Sequence, residues 1–130
     1  MLRESKINIS PAHQTKGILI MQAVISPSAT VMKLQGHLNA ANATDLKSQL
    51  IAAVSDSKTP VVLIDMEKVE SLDSAGLMAF VSALRLSQTI GRRFSLCSVS
   101  PSIQIIFELT QLDRVFEMFD NRMAFDCVAA

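Results

Sequence analysis

Ser74 is the residue around which chemistry can be built from residue type and spacing. It stands in Leu72-Asp73-Ser74-Ala75-Gly76-Leu77, shortly after the apolar run Val61-Val62-Leu63-Ile64-Asp65-Met66. That run lacks polar alternation, as expected of a strand covered on both faces. Apolar residues then recur at Leu77, Phe80, Val81 and Leu84, one face of a helix. Ser74 falls where such a helix wants an N-cap, because its hydroxyl can accept from an unpaired amide of the first turn. The same position presents a modifiable hydroxyl at a strand-to-helix edge, where loops carry function.

Other chemistries are poorly supplied. A serine nucleophile needs a positioned base, and the chain has only His13 and His37, with no Gly-x-Ser-x-Gly elbow around Ser74. Asp73 is too close in sequence to serve as an oriented base, so the chain reads as a non-enzyme. No Gly-x-x-x-x-Gly-Lys loop is present to cradle a nucleotide. Cys97 and Cys127 do not have zinc-ligand spacing, and two cysteines make no disulfide framework. Cys97, inside the apolar run from Phe94 to Val99, reads as a small buried hydrophobe suited to a reducing compartment. Asp65 reads as a turn-stabilising carboxylate near a strand end, and Asp73 as an ordinary turn residue. Gly76 leaves its backbone open to close approach, either by another chain or by the sheet beneath it. Met78, Leu86 and Ile90 lie off the inner stripe and form either a contact patch or a seam with the next helix.

The elements that must position Ser74 follow from periodicity. Residues 1–16 read as a tail or a weak edge strand. Ile18 to Ile25 forms a strand, Ser26-Pro27-Ser28 a turn, and Thr30 to Leu34 a second strand stopped by Gly36. A helix from Ala40 to about Val54, capped by Asn39 or Asn42, carries Ala43, Leu46, Leu50 and Val54 on one stripe. The buried strand at 61–66 and the helix ending at Gly91 come next, and Arg92-Arg93 opens a strand from Phe94 to Val99. Pro101 opens a third helix with Ile103, Ile106 and Phe107 inward, and Val115 to Phe119 is a last strand. Residues 123–130 form a C-terminal extension. The fold class is therefore α/β: a mixed sheet of about five strands with three to four helices packed against it. An antiparallel N-terminal hairpin precedes alternating strand–helix units, and one domain spans 17–122.

Bulk properties narrow the partners. Twelve basic residues balance twelve acidic ones across 130 residues, so there is no cationic surplus for nucleic acid. The seven methionines read as adaptable core filler and contact surface. No apolar stretch reaches the ~20 residues of a membrane span, and Met1-Leu2-Arg3-Glu4-Ser5-Lys6 leads into no signal-peptide core. A cytoplasmic location is expected, without membrane insertion.

In this order of elements, Asp73-Ser74-Ala75-Gly76-Leu77 resembles the STAS domain, specifically the single-domain bacterial anti-sigma factor antagonists. The resemblance continues through Ile105-Ile106-Phe107-Glu108-Leu109-Thr110-Gln111-Leu112-Asp113-Arg114-Val115-Phe116 and covers roughly residues 17–120. It departs at Gly36-His37-Leu38-Asn39, where the family commonly has Gly-Glu-Leu-Asp. Two acidic side chains are thereby replaced by an imidazole and an amide beside the expected contact site.

The resemblance implies a switch. Ser74 would be phosphorylated by a partner serine kinase that doubles as an anti-sigma factor, and dephosphorylated by a metal-dependent serine phosphatase. The unphosphorylated form would bind the kinase, through a surface of Asp73, Ser74, Ala75, Gly76, Met78, Gly36, His37 and Asn39. The chain would hold no cofactor of its own, ATP being used by the kinase. An alternative is an unphosphorylated STAS subunit of a lipid-transport ATPase, which the changed 36–39 segment keeps open.

Overall fold

A computed structural model describes residues 5–7, 19–25, 29–56 and 59–129. The expected turn at 26–28 lies outside them. Among the described residues six strands, β1 (Ser5–Ile7), β2 (Leu19–Ile25), β3 (Thr30–Leu38), β4 (Val61–Leu72), β5 (Arg93–Cys97) and β6 (Glu117–Phe119), form one sheet in sequential order. β1, β2 and β3 pair antiparallel, whereas β3 to β6 run parallel. About five strands were expected. The sixth comes from Ser5–Ile7, in the segment expected as a tail or a weak edge strand, which pairs with Ala23 to Ile25 at the edge of the sheet.

Helices α1 (Ala43–Asp56), α2 (Ser74–Ile90) and α3 (Pro101–Leu109) link the parallel strands, and α4 (Arg122–Ala129) closes the chain. Each parallel connection steps to the next strand in one direction. Right-handed crossovers then place α1, α2 and α3 on the same face of the sheet. Their apolar stripes meet there: Leu46, Leu50 and Val54 of α1, Leu77, Phe80 and Leu84 of α2, and Ile103 and Phe107 of α3 pack over Met32, Leu34, Val62, Ile64, Phe94 and Leu96. The other face holds a smaller cluster of Ala29, Val31, Val61, Leu63, Cys97 and Phe125. Residues 61–64 of β4 thus alternate between two cores, which explains their unbroken hydrophobicity.

The C-terminal extension is consequently part of the fold, since Phe125 of α4 is almost fully buried and stacks edge-on against Phe119 at 5.3 Å. Leu86, one of the three off-stripe residues of α2, packs partly against the main core, while Met78 and Ile90 stay exposed.

Two strands run past their expected ends. β4 continues from Met66 to Leu72 and β3 passes through Gly36 to Leu38, the two staying paired as far as Leu38–Leu72. β5 stops pairing with β4 at Asp65–Cys97. The β3–β4 pair therefore continues past β5, with β2 still paired to β3 as far as Gln35. Val69 and Leu72 anchor it to the core, while Glu67, Lys68, Glu70 and Ser71 face out. Gly36 does not end β3. It sits at a bulge with φ 87°, a left-handed conformation that glycine adopts without steric penalty.

Candidate functional site

The site lies at the carboxyl ends of β3 and β4, the usual place for function on a parallel sheet. α2 begins at Ser74, but the N-cap is Asp73, a correction to the serine cap expected from sequence. Asp73 has extended backbone and its Oδ1 accepts from the Gly76 amide at 2.9 Å. A carboxylate caps as well as a hydroxyl and adds a negative charge at the positive end of the helix. With the cap supplied by its neighbour, Ser74 is the first helical residue and is exposed.

Asp73 also joins two loops. Its Oδ2 accepts from the Ala40 amide at 3.1 Å, and its own amide donates to the Leu38 carbonyl at 3.0 Å. The segment after β3 is braced separately. Asn42 Nδ2 donates to the His37 carbonyl at 2.8 Å, and Asn42 Oδ1 accepts from the Asn39 amide at 2.9 Å. Asn39 Oδ1 accepts from the Ala41 amide at 3.0 Å. Both asparagines hold the loop that precedes α1. Asn42, buried and immediately before the helix, spends its side chain on that loop.

Gly76 is buried. A Cβ there would lie 2.8 Å from the Leu38 carbonyl oxygen and 2.8 Å from Leu72 Cδ1. The space above it is filled by β3 of the same chain, so the glycine serves close helix-to-strand packing and is not open to a partner. Ala75 is half-buried, whereas Met78 is 58% exposed one helical turn after Ser74 and on the same side of α2.

His37 is exposed on β3, opposite Ser71 of β4. Its Nδ1 lies 2.7 Å from Ser71 Oγ, and its Nε2 lies 3.9 Å from Glu70 Oε2. The imidazole thus engages Ser71 and Glu70, two residues that periodicity placed in a loop and assigned no role. Periodicity gave no signal for them, because Met66, Val69 and Leu72 are buried three residues apart across register shifts in the β3–β4 pairing, not two apart as in a regular strand. Asp65 is buried within β4, where its Oδ1 accepts from the Glu67 amide at 3.0 Å.

Asp73, Ser74 and Ala75 are thus brought beside the 36–40 segment by direct hydrogen bonds, with Met78 extending the exposed surface along α2. Burial pushes the Cys97 thiol up to about 11, so it carries no thiolate at neutral pH. Among the described residues no group of three or more His, Cys, Asp or Glu side chains is placed to hold a metal. No helix among them is long and apolar enough to cross a membrane.

The sequence matches the family model of the STAS domain over residues 21–124. The chain belongs to the STAS domain family. A relative from Bordetella bronchiseptica, BtrV, described as a candidate anti-sigma factor antagonist, is 30% identical over 91 residues, covering 70% of this chain and 78% of its own length. Among solved structures, an anti-sigma factor antagonist from Mycobacterium paratuberculosis superposes with a TM-score of 0.75 at 21% identity, over 93% of this chain and 98% of that one. The Bacillus cell-fate determinant SpoIIAA in its phosphorylated form gives 0.63 at 17% identity, over 85% of this STAS chain and 98% of its own. Its unphosphorylated form gives 0.67, also at 17% identity, over 85% and 95%.

Proposed function

We propose that this STAS protein is an anti-sigma factor antagonist-like switch. Its unphosphorylated form binds a serine kinase that doubles as an anti-sigma factor, and phosphorylation of Ser74 blocks that binding. A metal-dependent serine phosphatase resets it. The reading rests on one observation: Ser74 is exposed at the first position of α2 while Asp73 does the capping, which leaves the hydroxyl spare. SpoIIAA, of the same fold, exists in phosphorylated and unphosphorylated forms.

Phosphate adds about 1.5 to 2 negative charges. At a helix N-terminus this is locally tolerated, because the dipole and first-turn amides favour an anion. The fold therefore survives modification while the docking surface is recharged and occluded. Burying an unpaired phosphate under a partner costs at least about 3 kcal/mol, roughly a hundredfold in affinity.

The test combines phosphate localisation with binding. Incubation with ATP and a serine kinase of the anti-sigma factor type from the same genome is expected to place phosphate on Ser74, located by fragment mass spectrometry. The purified Ser74-phosphorylated protein should bind that kinase at least tenfold more weakly. A kinase that binds the protein and hydrolyses ATP yet leaves Ser74 unmodified would sink the proposal.

A further inference from the structure

Beside the switch serine stands a second hydroxyl whose surroundings equip it better for phosphoryl transfer. Ser71 is exposed, and its Oγ lies 2.7 Å from His37 Nδ1. Glu70 faces the other ring nitrogen at 3.9 Å. In the tautomer with its proton on Nε2, the nitrogen facing Glu70, Nδ1 is the acceptor of the Ser71 O–H. The arrangement is solvent-accessible, since the His37 and Glu70 side chains are 61% and 67% exposed.

Its location also suits an incoming enzyme. Ser71 lies in extended backbone on the part of β4 beyond Asp65, where pairing with β5 stops. Two residues stand between it and Ser74, a span of at most about 11 Å even for extended chain. A partner covers roughly 800 Å² of surface. Any enzyme that reaches Ser74 therefore also covers Ser71.

We infer that Ser71 is a second phosphorylation site of the same kinase, with His37 as the group that takes the hydroxyl proton. The inference rests on the kinase reading above. In the step, Ser71 Oγ attacks the γ-phosphorus of ATP. The Oγ–P bond forms, the bond from that phosphorus to the β–γ bridging oxygen breaks, and ADP leaves. The hydroxyl proton passes to His37 Nδ1. The resulting imidazolium lies against the new phosphate, while Glu70 faces its Nε2–H. Ser74, whose immediate neighbour Asp73 is occupied by the Gly76 and Ala40 amides, has no such imidazole hydrogen bond among the described contacts.

The test is site-resolved mass spectrometry on the full chain purified from its own cells, as wild type and as Ser74→Ala, His37→Ala and His37→Asn. Phosphate on both serines of the wild type, and on Ser71 of Ser74→Ala, is the expected result. His37→Ala should lower the ratio of Ser71 to Ser74 phosphate about tenfold. His37→Asn, which keeps an acceptor near Nδ1 but no base, should lower it as well. A ratio that His37→Asn restores would make the histidine a mere hydrogen-bond partner and overturn its proton-accepting role. Phosphate on Ser74 alone overturns the inference and leaves the proposed function standing. Phosphate on Ser71 alone, or on neither serine, removes both.

Discussion

Asp73 and Gly76 shape the site more than the serine between them. Asp73 caps α2 and tethers the loop after β3 through separate carboxylate oxygens. Replacing it with alanine removes both bonds, and loss of an N-cap alone costs about 1 kcal/mol. Asp73→Ala is therefore expected to lower the urea-unfolding free energy by at least that amount. An unchanged unfolding midpoint would refute the capping assignment. Gly76→Ala sets two terms against each other. Alanine gains about 1 kcal/mol of helix propensity. Its Cβ, however, meets the Leu38 carbonyl oxygen at 2.8 Å, and backbone cannot swing aside as a side chain can. Overpacking costs about 1–3 kcal/mol, so the variant should be less stable than wild type by about 1 kcal/mol. Equilibrium urea unfolding decides, and a stabilised Gly76→Ala would mean that α2 stands further from β3. The Asp-Ser-Ala-Gly spacing was legible in sequence. The cap was not, because Asp73 and Ser74 are both good capping residues and only the backbone bend between strand and helix selects one.

The elements around the site differ in what holds them. β6 is a three-residue edge strand, and the side chains of Arg93 and Glu117 clamp it to β5. Arg93 Nη2 donates to Glu117 Oε2 at 2.6 Å, and Ser95 Oγ donates to Oε1. The Arg93 guanidinium holds the Glu117 carboxyl below its ordinary value, with help from the Ser95 hydroxyl. A carboxylate with a lowered folded value stabilises the fold above its unfolded value of about 4.3 and loses that contribution as pH falls through the folded value. Both side chains are more than a third exposed, so solvent screening limits the effect to about 1 kcal/mol or less. Glu117→Gln should accordingly flatten the loss of stability between about pH 5 and pH 3. Parallel urea titrations would show it, and identical acid profiles for the two proteins would exclude the clamp. At this scale the sequence placed the parallel strands and α1 to α3 well, since each carries a strong period. It ended β3 and β4 early. Glu67-Lys68 and Glu70-Ser71 look like loop by composition, but they form the solvent side of a strand pair whose other side is pinned by Val69 and Leu72.

For the whole molecule, the sheet has one thick and one thin covering. Three helices bury the first face, while the second depends on a small cluster closed by Phe125 from α4. Truncating a buried phenylalanine costs about 3–5 kcal/mol, and a site near the chain end can partly relax. Phe125→Ala is expected near the lower figure by urea unfolding. A loss below about 1 kcal/mol would show that α4 is dispensable to the second face. The residue types determined a great deal unaided: a parallel α/β core, an apolar strand buried on two sides, a helix beginning at Asp73-Ser74, and membership of the STAS family. Those features follow from local periodicity and a short motif, which need no distant partner. Tertiary structure alone decided that Asp73 caps, that Gly76 fits under Leu38, that the last helix completes a core, and that His37 meets Ser71. The cap turns on the backbone bend between β4 and α2, and the others depend on segments roughly thirty or more residues apart being brought together. Such contacts are set by sheet register and packing, which no window of sequence contains.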